Sequence, residues 1–516
     1  MHFVEARDLD GPNLFAPEPV IKLEVALEVG DDTAALRRWI VELHRACDQP
    51  VPPIGERALD LPGRIAVFYP WQWRSFALGV ARATYAAAAG QPFENAVEAL
   101  FEKLDGDRAD DDRPLWVSDE ERTVPAVGIT GTNGKTTTTR LLAHIARTAG
   151  LSVGWSSSSG VYINGELVLE GDYTGPSGAR RVLDDPEVDL AVLETARGGI
   201  LLRGIAYESN DIGVFLNVSA DHLSLNGVET LTTLAEVKGI VVRVTRASGV
   251  VVLNADDPLV LAQRDHVRAE VVLISQRPDA PAVVGHLVSG GRAVVRRDNE
   301  ILLLHPDGEQ RITSIDAVPM AYGGAAPHMI ENALAATAAA LGLGFEQETI
   351  AAGLGSFRAD AHSNAGRLNV FDIDGRTVVL DYAHNEMGLQ HLIDFSRALI
   401  DTSGRLITVI GTAGDRQDDV LRGLGWLAGR RSDLVFLKDN PTYRRGRPPG
   451  GLNDVMRAGV EDAGALDRLG GSFGCEYDAT MASLAASQPG DFIVVMCQED
   501  HAKIVAELRG RGAVER

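Results

Sequence analysis

At 516 residues, with 45% hydrophobic and 23% charged positions, the chain has the size and composition of about three globular domains at roughly 150 residues each. A formal net charge of −23 argues against a broad nucleic-acid or anionic-membrane surface, leaves room for a local basic pocket, and makes a cationic amine electrostatically welcome. Cys47, Cys475 and Cys497 lack metal or redox spacing, residues 1–8 lack the apolar stretch of a secretory leader, and apolar runs are broken by charge before membrane length, so the expectation is a cytoplasmic protein with reduced thiols.

Ile21, Leu23, Val25 and Leu27 alternate with more polar neighbours and predict a half-buried strand. Asp32 is placed to cap a helix in which Leu36, Trp39, Ile40 and Leu43 make one apolar face. A strand is expected at 64–69, and a largely buried helix rich in alanine and aromatics at 71–89. Residues 1–122 thus read as a small α+β domain without a catalytic constellation. It ends in the acidic run 105–113, which reads as a linker.

Residues 123–358 read as a second domain, opened by a strand, a glycine loop and a helix. Residues 124–129 are apolar and mostly β-branched, as a buried strand should be. Thr130, Gly131, Thr132, Asn133 and Gly134 make a small, tight loop, and beyond Lys135, Thr136 and Thr137 the residues Leu141, Leu142 and Ile145 recur at helical spacing. Loop N–H groups and a helix N-terminus together favour a polyphosphate. Lys135 is placed to reach terminal phosphates, and the Thr136 hydroxyl to hold Mg²⁺. The usual first glycine of such loops is Ile129 here, with Gly131 inside the loop instead. Further strands are expected at 190–193, 212–218 and 250–253 with helices between, hence a parallel sheet whose ligands lie beyond the carboxyl ends of its strands. Residues 283–315 suggest an inserted meander of short strands, and 329–343 a helix. Residues 359–516 repeat the alternation, with strands at 378–380, 406–410, 434–437 and 492–496, and read as a third, smaller α/β domain.

The segments Gly131-Thr-Asn-Gly-Lys-Thr-Thr137, Asn217-Val-Ser-Ala-Asp-His222, Glu331-Asn-Ala-Leu-Ala-Ala336 and Asp381-Tyr-Ala-His-Asn385 occur in the order found in Mur ligases. Gly171-Asp-Tyr-Thr-Gly-Pro176, Glu194-Thr-Ala-Arg-Gly-Gly-Ile-Leu-Leu-Arg-Gly204, Asn254-Ala-Asp-Asp-Pro258, Gly366-Arg-Leu-Asn369 and Arg445-Gly-Arg-Pro-Pro-Gly450 resemble more closely the Mur-ligase half of cyanophycin synthetases. Gly11-Pro-Asn13 is similar, more weakly, to the N-terminal domain of that branch. The resemblance covers most of residues 123–516. It implies an α/β, Mur-ligase-like fold: a central P-loop domain with a parallel sheet, a C-terminal Rossmann-like domain, and the small N-terminal domain. Cyanophycin synthetases also carry an ATP-grasp domain, and the linker here runs almost directly into the Mur-like portion, so that second activity is not expected.

The implied chemistry is amide formation: ATP phosphorylates a carboxylate, an amine attacks the acyl phosphate, and phosphate leaves. The resemblance assigns Lys135 to phosphate charge, Thr136 and Glu194 to the Mg²⁺ bound by ATP, and His222 to a second Mg²⁺. Lys238 stands 16 residues after His222 (238 − 222), close to where many Mur ligases carry a carbamylated lysine; a surface helix lysine is the alternative. Asn332 matches the position that meets adenine, and otherwise reads as a helix-cap asparagine. Arg367 and Asp381 match positions that close onto the phosphates and ribose. Thr174 resembles a loop that touches the carboxylate substrate. Asp439-Asn440-Pro441 resembles an Asp-Asn-Pro-Arg clamp whose arginine is replaced here by Thr442; Arg445 and Arg447 are candidates for its role, or belong to a solvated basic loop. The roles of His384 and Asn385 stay open. The implied substrates are a carboxylate and an amine of amino acids or short peptides, with a separate partner ligase and a homo-oligomer among the expectations. The other readings are a folylpolyglutamate-synthase-like ligase and a non-catalytic nucleotide-binding partner of a separate synthetase.

Overall fold

The structure is a computed structural model that describes residues 1–105, 112–220, 223 and 226–516. The chain forms two compact units: 1–295 with 302–310 and 334–350, and 296–301 with 311–333 and 351–516. Among the described residues no helix is long and apolar enough to cross a membrane. Most of the acidic run, 106–111, lies outside the described residues.

The first unit begins with an antiparallel sheet of β1 (His2–Leu9), β2 (Val20–Ala26), β3 (Gly55–Ala58) and β4 (Arg64–Pro70), in the order β1-β2-β4-β3. Ile21, Leu23, Val25, Val67 and Tyr69 face the helices Ala34–Ala46 and Arg74–Ala88. The strand expected to be half buried is buried on both faces. Its polar alternates Lys22 and Glu24 form an ion pair, and Lys22 also reaches Glu5 on β1 at 2.9 Å, so charge neutralisation lets the second face be covered. Thr33 occupies the cap position of the first helix, while the Asp32 carboxylate accepts the Ala34 N–H at 2.9 Å.

The large sheet contains β5 (Ala126–Thr130), β6 (Val153–Ser157), β7 (Gly160–Ile163), β8 (Glu166–Glu170), β9 (Leu190–Glu194), β10 (Asn210–Phe215), β11 (Thr245–Asn254), β12 (Glu270–Ser275), β13 (Arg292–Arg297), β14 (Glu300–His305) and β15 (Gly308–Ser314). Its order is β15-β14-β13-β12-β11-β10-β5-β9-β6-β7-β8, and the run from β6 through β13 is parallel. β5 sits mid-sheet, and all five of its residues are buried. The predicted meander begins later than expected. Pro281–Val288 is a helix, because Pro281 sits in its first turn and Gly290, at φ +92°, follows its end.

The second unit carries β16 (Asn369–Ile373), β17 (Arg376–Asp381), β18 (Leu406–Ile410), β19 (Leu434–Lys438), β20 (Leu469–Phe473), β21 (Phe492–Met496) and β22 (Val514–Glu515), in the order β20-β19-β18-β21-β17-β16-β22. β17 to β21 pair in parallel, and β16 and β22 add antiparallel edges. The loops that leave the carboxyl ends of β17, β18, β19 and β21 carry most of this unit's polar residues of interest.

Candidate active site

Gly134, at φ +87°, is the residue before the helix Lys135–Thr148, a conformation that costs glycine little. The turn sets the helix N-terminus at the mouth of the loop. Lys135 Nζ lies across that mouth, donating to the Gly131 and Thr132 carbonyls at 3.1 and 3.0 Å. The loop is braced by the segment that follows β10: Asn133 N–H donates to Asn217 Oδ1 at 2.9 Å, and Ser219 N–H to Thr132 Oγ1 at 3.0 Å. Thr130 Oγ1 donates to the Thr195 carbonyl at 2.9 Å, tying β5 to β9. Thr137 is buried in the first turn of the helix.

Glu194 ends β9 and is 3% exposed. Its Oε1 accepts from Thr136 Oγ1 at 3.1 Å, and its Oε2 from the Ser158 N–H at 3.2 Å; the Ser158 and Thr136 hydroxyls are 3.1 Å apart. A carboxylate and two hydroxyls converging at a phosphate-type loop are the hard oxygen donors Mg²⁺ takes, so this donor set fits that ion. Ser158 was not singled out from sequence; the serine run 156–159, which spans the end of β6, was the available signal.

Lys238 is 4% exposed, and its Nζ donates to the Gly131 carbonyl at 2.7 Å, which places it beneath the loop rather than on the helix surface. His222 lies outside the described residues. Thr174 is buried; its hydroxyl donates to Asp172 Oδ1 at 2.7 Å, and its carbonyl accepts the Ala196 N–H at 3.0 Å, two residues beyond Glu194. The Asn254–Asp257 segment is used within the fold. Asp257 caps the helix Pro258–Leu261 and accepts the Val218 N–H at 2.7 Å, and Asp256 pairs with Arg277.

In the second unit, Asn332 is buried inside the helix Pro327–Gly342 rather than at its cap. One turn earlier, His328 stacks on His391 with ring centroids 5.0 Å apart. Burial, then the neighbouring His391, pushes His328 down to about 3. Asp381 ends β17 and accepts the Leu368 and Ala383 N–H groups at 2.8 and 2.7 Å. Burial raises its pKa, against the opposing pull of Arg367 and those two N–H donors. The Arg367 guanidinium lies 4.5 Å over the Tyr382 ring. His384 Nδ1 is 3.1 Å from the Tyr382 carbonyl, and Asn385 caps the helix Glu386–Leu399.

The loop after β19 holds the two basic candidates. Arg445 has φ +51° and lies over Tyr443 at 5.5 Å. Arg447 donates to the Gly414 and Arg416 carbonyls at 2.8 and 2.7 Å and pairs with Asp418, so it braces the loop that follows β18. Beneath them, Lys438 and Glu476 form a fully buried ion pair at 2.7 Å. Lys438 also donates to Asn440 and Gln498, and Glu476 accepts from the Gln498 and Asp500 N–H groups and from the Cys497 thiol. Sequence reading missed this cluster, since Lys438 stands 38 positions from Glu476 and 60 from Gln498.

Residues 129–340 match the Mur ligase middle domain, and residues 366–499 the Mur ligase glutamate ligase domain. The chain is 42% identical over 353 residues to a cyanophycin synthetase of Synechocystis sp., covering 68% of this chain and 40% of that one. It therefore spans less than half the length of the cyanophycin synthetases it matches. It is 29% identical over 403 residues to the UDP-N-acetylmuramoyl-L-alanyl-D-glutamate–2,6-diaminopimelate ligase of Parabacteroides distasonis, covering 75% and 76% of the two chains. Its fold is similar to that of E. coli FolC in complex with DHPP and ADP, with a TM-score of 0.56 at 19% identity over 77% of this chain and 90% of that one.

Proposed function

The chain belongs to the Mur ligase family, and on that premise we propose that it is an ATP-dependent, ADP-forming amide ligase of the cyanophycin-synthetase-like branch. The carboxylate oxygen of an amino acid or short peptide takes the γ-phosphoryl group, and ADP leaves. An amine nitrogen then attacks the acyl carbon, the C–O bond to phosphate breaks, and the nitrogen loses a proton. The chain's own task is to hold crowded negative charge in place. The Lys135 ammonium and the loop N–H groups neutralise phosphate oxygens, Asn332 meets adenine, Arg367 meets the phosphates, and Asp381 lies toward the ribose. Thr136, Glu194 and Ser158 would hold Mg²⁺, with His222 serving a second ion; the metal supplies charge neutralisation between phosphate and carboxylate. Lys238, carbamylated, would add an anion to that site. Thr174 is assigned to the carboxylate substrate, and Arg445 and Arg447 to the carboxylate of the incoming amino acid.

The single observation that carries this reading is the meeting of Thr136, Ser158 and Glu194 oxygens beside Lys135 at a strand–loop–helix turn. A cytoplasmic location, a homo-oligomer and a separate partner ligase that supplies the peptide belong to the same proposal. The test is mass spectrometry of products formed with ATP, Mg²⁺ and a mixed pool of amino acids and dipeptides, with ADP measured in parallel. Pair-dependent ADP release and a product one water lighter than its two substrates are expected. A folded protein that releases no ADP with any pair would refute the proposal, and glutamate added to a folate would replace it with the folylpolyglutamate-synthase-like reading.

A further inference from the structure

Gly366 and Leu368, on either side of Arg367, both lie in the left-handed region, with φ +69° and +54°. Leu368 is fully buried and not a glycine, so its conformation persists only because its surroundings over-determine it. Four bonds do so. The Leu368 N–H donates to Asp381 Oδ2 at 2.8 Å, and the Tyr382 N–H to the Gly366 carbonyl at 2.7 Å. The Gly366 N–H donates to Asn369 Oδ1 at 2.7 Å, and Asn369 Nδ2 to the Ala359 carbonyl at 2.9 Å.

His501, the first residue of the helix Gly510 closes, completes this arrangement. Its Nε2 is 2.8 Å from Asn369 Oδ1 and 3.1 Å from the Gly366 nitrogen. The Gly366 N–H points between the two acceptor positions, nearer to Asn369 Oδ1 than to Nε2; an amide oxygen has no proton to give, so the 2.8 Å contact calls for the Nε2–H tautomer, in which Oδ1 accepts from both His501 and Gly366. Reversing the Asn369 amide would set its NH₂ against the Gly366 N–H and its oxygen against the Ala359 and Asn364 carbonyls. The Ala359 and Asn364 carbonyls orient the amide of Asn369, His501 adds the bond that holds its oxygen in place, Asn369 holds the Gly366 N–H, and the turn sets where the Arg367 guanidinium emerges over Tyr382.

We propose that His501 and Asn369 are positioning residues for Arg367, holding a preformed strained turn that presents its guanidinium to the nucleotide phosphates. This rests on the ATP-ligase reading above. Preorganising a bidentate cation removes an ordering cost that the nucleotide would otherwise meet on binding.

The test is a double-mutant cycle of His501→Ala and Arg367→Ala, with His501→Gln as the conservative variant, in the full chain. Affinity for a non-hydrolysable ATP analogue with Mg²⁺ and the thermal midpoint are read on every protein. His501→Ala should weaken analogue binding roughly tenfold in the native background and not at all beside Arg367→Ala, because the same phosphate contact is lost only once. His501→Gln, whose amide still donates, should restore most of the affinity. Equal losses in both backgrounds, or losses that follow the thermal midpoint, would overturn the positioning role while leaving the ATP reading intact. A folded native protein that does not bind the analogue would instead overturn the ATP reading and this inference with it.

Discussion

A charge at the phosphate loop and a charge pair in the core answer to different physics. Glu194 touches Thr136 and Ser158, and its proposed work is to hold a divalent ion, so Glu194→Gln removes an anion but little volume. Turnover should fall about 10²-fold or more, with a raised Mg²⁺ requirement and a near-native melting midpoint; unchanged Mg²⁺ dependence would rule the residue out as a metal ligand. Lys438 and Glu476 are both 0% exposed and pair with each other at 2.7 Å. Lys438→Met strands a carboxylate, and urea unfolding should show a loss of about 3–5 kcal/mol, well above the cost of a surface substitution. Burial alone would raise Glu476, but Lys438 and the surrounding donors outweigh it and hold it below the ordinary 4.5. A depressed folded pKa contributes stability that is present above 4.5 and lost as pH falls through the folded value. The native urea midpoint should therefore drop on acidification below about 4.5, and a Glu476→Gln variant should lose less over that window.

The helices Asp418–Arg431 and Gly451–Asp462 meet backbone to backbone. A Cβ at Gly425 would stand 1.9 Å from the Met456 carbonyl oxygen, and one at Gly459 1.9 Å from that of Arg422. Alanine at a helical glycine gains about 1 kcal/mol in propensity, whereas forced overpacking costs about 1–3 kcal/mol or more. The obstacle is main chain and cannot rotate away, so overpacking wins and Gly425→Ala should lower the unfolding midpoint. Gly285→Ala, in a helix where a Cβ meets nothing within 4 Å, should raise it; matching signs would show that the contact is not the cause. Such contacts also mark what could be read from the chain alone. Buried parallel strands are continuous apolar runs, so β18 and β21 were legible to the residue. Asn164-Gly165 joins β7 to β8 and Asp374-Gly375 joins β16 to β17, with φ values of 49° and 97°, and 48° and 75°; such dipeptides announce a tight turn and were the local signal for both hairpins. The phosphate loop was legible because its chemistry is local in sequence. Ser158, the Lys438 cluster and the His501–Asn369 contact were not, because each pairs residues that only the folded sheet brings together.

For the whole molecule, a net charge of −23 is a field as well as a composition, and it acts oppositely on the two kinds of substrate the proposal requires. An amino acid carrying an extra cationic side chain is drawn toward such a surface, whereas Mg²⁺-bound ATP, still anionic, is repelled until it meets the local positive end of the phosphate loop. Salt screens both effects beyond a Debye length, about 10 Å at 0.1 M. Raising NaCl from about 50 to about 500 mM should therefore lower kcat/KM for arginine or lysine, leave a neutral isostere of similar size such as citrulline nearly unchanged, and raise or preserve kcat/KM for ATP. General salt inhibition would lower all three together and is separated by that pattern. If arginine, citrulline and ATP respond alike, the acidic surface has no part in selecting the amine, and specificity rests on contacts such as those of the β19 loop alone.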